Sequence, residues 1–306
     1  MSLTLLAVCG SAALAGERVF EVGDGHSYSD VQSAIDAAID TGAPARIRIA
    51  AGTWRGVVDV PPHAPPLTLE GAGASATHLV NDHFASRIDP ATGQPFGTYG
   101  SATMFVRADD FTAESLTIAN DAGPVGQAVA LVVDGTRAAF RDVHLRGHQD
   151  TLYLRKAGTL AWFRDCRIEG TVDYVFGAAT ALFERCTLHS LGDGYVTAAS
   201  TPDGQAYGFV FRDCSLTAAP GVSRVYLGRP WRPYAAVLFA GCRFDAPVPD
   251  AGWHDWGKPE HHATARFGES GNSGPGSVES GRVSWRHVHP DVPMPATLFG
   301  TWSPFE

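Results

Sequence analysis

A six-residue phrase returns six times in the middle of the chain: "FTAESL" from Phe111, "FRDVHL" from Phe140, "FRDCRI" from Phe163, "FERCTL" from Phe183, "FRDCSL" from Phe211 and "FAGCRF" from Phe239. Each copy sets a Phe five positions before a large apolar residue, at intervals of 29, 23, 20, 28 and 28 residues. Period-2 alternation surrounds the copies and no long helical run separates them, which suits strands. A constant phrase at unequal spacing describes the coils of a solenoid whose loops differ in length. The expected fold is therefore all-β, a right-handed parallel β-helix in which the Phe residues stack in an internal ladder. An antiparallel sandwich also gives regular strands, but not readily the same phrase six times. One amphipathic helix, in "SYSDVQSAIDAAID", precedes the repeats. It sets Val31, Ala34, Ile35 and Ala38 on one face, with Ser29 as N-cap, and is placed to cover the open end of the solenoid.

The cysteines follow the same period. Apart from Cys9 they are Cys166, Cys186, Cys214 and Cys242, each three residues after its Phe. In-register neighbours on adjacent coils lie ~4.8 Å apart, inside the Cα range for a disulfide. For an exported chain the natural pairing is Cys166–Cys186 and Cys214–Cys242; the alternative is a stack of reduced, buried thiols. Export is read from residues 3–15, almost wholly apolar or small, with Ala13-Leu14-Ala15 matching a signal-peptidase site, although no Lys or Arg precedes the run. Residues 1–15 are thus expected to be a signal peptide, possessing an incomplete start, and residues 16–306 a single β-helix domain, secreted to the periplasm or beyond. The lipoprotein reading of Cys9 fails on the bulky Val8. A net charge of −9 argues against nucleic-acid binding, which needs a basic face. No later segment is long and apolar enough to span a membrane, and the chain is expected to act as a monomer.

Ten residues after Phe140 stands Asp150, and ten after Phe163 stands Asp173. In register, the two acids fall one above the other. The same count reaches Asp121 and Asp193, so register alone nominates four acids. Only the middle two run straight into strand-like segments, "TLYL" and "YVFG", which favours Asp150 and Asp173. Two carboxylates ~5 Å apart repel by about 3 kcal/mol at an effective dielectric of 20. One can keep its proton while a cation holds the other ionised; the bland alternative is a solvated acid ladder on an outer face. Gln149, and Gln127 in "GQAVAL", bring amide donors suited to an oxyanion. "VYLGRPWRPYA" supplies a cation, Arg229, and an indole, Trp231, whose face suits a sugar ring.

"GQAVAL", "GHQDTLYL", "GTVDYVFG" and "YLGRPW", in this order, resemble the signature blocks of the pectin methylesterases (pectinesterases), and the likeness runs from about residue 20 to 285. It implies a β-helix that de-esterifies methylated polygalacturonate without metal or cofactor. Carried onto this sequence, it makes Asp173 the nucleophile, Asp150 the general acid and base, and Gln149 the oxyanion donor with Gln127 assisting. Arg229 would orient Asp173, and Trp231 would line the sugar subsite with Thr98, Tyr153 and Phe176. One departure is Gly56 in "GTWRG", where the family often carries an acid.

Other readings are weaker. "LTLEGAGASA" mimics a dinucleotide fingerprint but opens no convincing helix, and no G-x-S-x-G occurs. "HDWGKPEHH" offers His254, Asp255, His261 and His262 without a recognised ligand spacing, and reads as a solvated loop. The rival functions are a same-fold esterase or thioesterase on another substrate, a silent polysaccharide-binding solenoid, and glycoside hydrolysis, which also needs two acids.

Overall fold

The computed structural model describes residues 18–288 and 290–305; the expected signal peptide lies outside the described residues. The strands form three parallel ladders, one per face of a right-handed β-helix. The first ladder starts with Arg18–Val22, Ala45–Ile49 and Leu67–Gly71, the second with Gly52–Arg55 and Thr77–Asn81, and the third with Val58–Val60 and Met104–Val106. All the strand–strand pairings are parallel, as a chain coiling repeatedly in one sense requires. "LTLEGAGASA" is a strand and a turn leading into the next strand, Thr77–Asn81.

The repeated phrase is a corner. Phe140, Phe163, Phe183, Phe211 and Phe239 pair in register from coil to coil. Their rings stack at centroid distances of 4.5, 4.9, 4.4 and 4.4 Å, each pair adding about 0.5–1.5 kcal/mol to the burial itself. Two residues after each of these Phe, and after their neighbours in register Ala113 and Glu269, the chain turns through a left-handed residue: Ser115, Asp142, Asp165, Arg185, Asp213, Gly241 and Gly271, with φ between +51° and +64°. Asp and Gly reach this region most cheaply, which accounts for the D or G ahead of so many of the cysteines. Phe111 departs from the ladder. Ala113 is the partner of Phe140, and Phe111 sits two residues early, with its ring tilted 50° from that of Phe140 at 6.0 Å.

The next residue turns inward, and here one expectation is corrected. Cys166, Cys186, Cys214 and Cys242 are stacked in register, yet all four are free, buried thiols, and neither expected bridge is formed. Parallel in-register strands hold side chains side by side at the strand spacing of ~4.8 Å, whereas a disulfide draws Cβ atoms together to about 3.8 Å. Instead, each thiol donates to the carbonyl of the Phe one coil back, at 3.4 Å to Phe140, 3.5 Å to Phe163, 3.3 Å to Phe183 and 3.5 Å to Phe211. At the end of the row Asn272 takes the same place. Its Nδ2 donates to the Phe239 carbonyl at 3.1 Å and its Oδ1 accepts from Cys242 N–H at 2.8 Å.

The ends and one outer face are covered. Helix Val31–Asp40 buries Val31, Ala34, Ile35 and Ala38, but its N-cap is Asp30, one residue later than expected, whose Oδ1 accepts from Ser33 N–H at 2.8 Å. Across the C-terminal coil, buried Glu269 accepts from Trp253 Nε1 and Arg282 Nε, both at 3.0 Å. The short helix Pro295–Phe299, with Trp302 and Phe305, lies on an outward apolar stripe of Trp162, Leu182, Val210 and Leu238. No helix among the described residues is long and apolar enough to cross a membrane.

Candidate active site

The outward face of the third ladder carries the chemistry. Leu152–Leu154 pairs with the end of Arg167–Gly177 so that Leu152 meets Val175. That 23-residue offset, the same as Phe140 to Phe163, sets Asp150 and Asp173 at equivalent positions on adjacent coils. The outer two acids leave the register. Asp121 accepts a fork from Arg55, and Asp193 caps the turn at Ser223 and Arg224. Both central acids adopt left-handed backbone, at φ +67° for Asp150 and +53° for Asp173, where a non-glycine residue costs about 1–3 kcal/mol. They are also nearly inaccessible, at 8% and 5% exposure. Buried acids in pairs are not what a solvated outer ladder would contain.

Arg229 reaches Asp173 from two coils away. Its strand, Val225–Pro230, pairs with Thr187–Ala199, so that Arg229 stands opposite Ala198. That small residue leaves room for the guanidinium to pass. Its Nε and Nη2 donate to Asp173 Oδ1 and Oδ2 at 2.9 and 2.8 Å, a complete fork. Gly228 fits this approach: a Cβ there would lie 2.0 Å from Thr197 Oγ1.

The two carboxyls are electrostatically unlike. Burial, the Asp173 charge beside it and only partial relief from Arg229 push Asp150 up to about 8. Burial raises Asp173 as well, but the Arg229 fork opposes that rise. Asp150 therefore takes the first proton and Asp173 keeps the charge.

All nine residues to which the family resemblance gave a catalytic or substrate-binding role line one cleft of about 230 Å³. Gln127 and Gln149 meet as a parallel bridge, and neither side-chain amide is hydrogen-bonded within the described residues. Tyr153 and Phe176 stack at 4.2 Å, and Trp231 tilts against both, at 6.3 and 6.1 Å. Thr98 lies in the turn Gly97–Gly100, held near the cleft where Tyr99 Oη donates to Asp134, the acid that Arg155 forks.

The sequence of an established family matches nearly the whole chain. A family profile described as Pectinesterase covers residues 19–301. The chain belongs to the pectinesterase family. "Pectinesterase 31" of Arabidopsis thaliana is 38% identical over 275 residues, covering 88% of this chain and 86% of that protein. The solved pectin methylesterase from carrot superposes with a TM-score of 0.82 at 30% identity, covering 92% of this chain and 90% of that one. A pectin methylesterase in complex with a hexasaccharide superposes with a TM-score of 0.81 at 29% identity, covering 93% and 98%.

Two members of this pectinesterase site were missed from the sequence. Trp256 lines the cleft, and Tyr195 lies behind Arg229. The "HDWGKPEHH" segment is not the solvated loop expected of it. His254 N–H donates to Gly228 O at 3.0 Å and its Nδ1 accepts from Trp256 N–H at 2.9 Å, which folds the segment over the site. His261 is buried, and His262 stacks on Trp285 at 5.0 Å. A Trp amid polar residues, next to Gly257, was the available signal.

Proposed function

We propose that this protein hydrolyses the methyl esters of methylated polygalacturonate, giving methanol and pectate. The observation that carries the proposal is the asymmetric acid pair: two buried carboxyls in one cleft, of which only Asp173 is forked by a guanidinium. Family membership supports the same reaction, and the known hexasaccharide complex of a similar enzyme supports a polysaccharide substrate.

In this reading an ionised Asp173 oxygen attacks the C6 ester carbonyl. The carbonyl oxygen takes the negative charge and accepts hydrogen bonds from the free amides of Gln149 and Gln127. Collapse breaks the bond to the methoxy oxygen, which leaves as methanol with the proton of Asp150. The product is an acyl-enzyme on Asp173. Water then adds to that carbonyl while the Asp150 carboxylate accepts its proton, and collapse returns the Asp173 carboxylate and frees the galacturonate acid. Arg229 holds Asp173 charged and oriented throughout. Trp231, with Tyr153 and Phe176, offers apolar faces to the sugar rings. The substitution Asp173→Asn removes the nucleophile and is expected to lower methanol release from highly methylated pectin at least 1,000-fold (~4 kcal/mol) while pectin binding persists. Turnover retained by that variant, or reducing ends appearing without methanol, would overturn the proposal. Export remains part of the proposed biology, resting on the apolar run of residues 3–15.

A further inference from the structure

We infer that Tyr195 and Trp256 are positioning residues, a pair of ring faces that clamp the Arg229 guanidinium in the plane from which it forks onto Asp173. The inference rests on the proposed roles of Asp173 and Arg229. The Arg229 Cζ lies 3.9 Å from the Tyr195 ring centroid and 3.7 Å from that of Trp256. Both distances are well inside the ~6 Å limit for cation–π attraction. A guanidinium covered on its faces can donate only in its own plane, and that plane contains the Asp173 carboxylate.

The clamp is itself braced. Tyr195 stands opposite Tyr226 on the next coil, with the rings stacked at 5.4 Å. The His254 ring closes edge-on over both, at 5.4 and 5.3 Å. Trp256 is fixed by the His254 hydrogen bond to its N–H and by a left-handed backbone, φ +61°. Lys258 Nζ lies 5.0 Å from the Trp256 ring. The charged and titratable groups around the guanidinium are thus Asp173 and Asp150 on its carboxylate side, with Tyr195, Tyr226, His254 and Lys258 around the clamp. Loosening the rings lets Arg229 leave the carboxylate plane, and Asp173 then holds its proton to higher pH.

The test compares Tyr195→Leu and Trp256→Leu with Tyr195→Phe, which keeps the ring. The acid limb of kcat/KM for methanol release is expected to move up by about one pH unit in the two Leu variants and to stay in place in the Phe variant. A lost sugar contact at Trp256 would change KM without moving that limb. A second readout needs no activity: the Arg229 Nε–H resonance, assigned by its loss in Arg229→Lys. In the wild-type protein it should be displaced by ring currents, and in Tyr195→Leu it should return towards the exposed-arginine position. An undisplaced wild-type resonance, or an acid limb unmoved in Leu variants that fold, overturns the clamp. A wild-type protein that releases no methanol refutes the proposed function instead, and the resonance still decides the clamp.

Discussion

Asp150 is raised to about 8 by burial and by the neighbouring Asp173 charge, and this has a consequence for stability as well as catalysis. The folded protein holds a proton that the unfolded chain releases near pH 4. Between pH 4 and 8 the unfolded state therefore binds fewer protons, and stability falls as pH rises. The contribution is fully present below about pH 4 and gone above about 8. Asparagine mimics the protonated acid and does not titrate. Asp150→Asn should match the wild type in thermal unfolding at pH 3.5 and exceed it increasingly up to pH 9, by a few kcal/mol, while losing its general acid. Parallel unfolding curves for the two proteins across that range would refute the assigned protonation.

Among the elements, the corner after each Phe does most to set the register that brings the acids together. Its thiols act as hydrogen-bond donors to the previous coil, and burial, together with the adjacent thiols, pushes Cys166 and Cys214 well above the ordinary thiol range. Alkylation without reductant should leave Cys166, Cys186, Cys214 and Cys242 unmodified in the native protein and label all four once it is unfolded, as located by peptide mapping. Failure to label them after unfolding would restore the bridges expected from the sequence. That expectation failed for a definite reason. Equal spacing along the chain gives alignment, but not the inward convergence of Cβ atoms a disulfide needs. The acids were legible because only two coils, those of Phe140 and Phe163, share a constant offset from corner to cleft. Asp121 failed the same count because its coil starts from Ala113 and is longer between corner and cleft, so that Gln127 and not Asn120 comes to lie opposite Gln149. Tyr195 and Trp256 were illegible because their contact with Arg229 depends on side-chain direction and on a loop folded back through His254. Neither leaves a period in the sequence.

At the scale of the whole molecule, two of the three faces differ in what they carry: the first is covered by the C-terminal segment, and the third bears the cleft. The cleft must capture a polymer that becomes more negative with every ester removed, on a protein of net charge −9. Long-range repulsion should therefore grow as the reaction proceeds and be relieved by salt, whose screening length is about 10 Å at 0.1 M. Two cations stand against this field at the cleft's aromatic edge: Arg232, 5.5 Å from the Trp231 ring, and Lys258 beside Trp256. They are too few to reverse a deficit of nine charges at a distance, although they act on a sugar already bound. KM for sparsely methylated pectin is accordingly expected to fall as salt rises from about 10 to 150 mM, while KM for highly methylated, nearly neutral pectin stays flat. Initial rates of methanol release on the two substrates measure both. A KM that climbs with salt on the acidic substrate would mean that the two local cations, and not the net charge, govern capture.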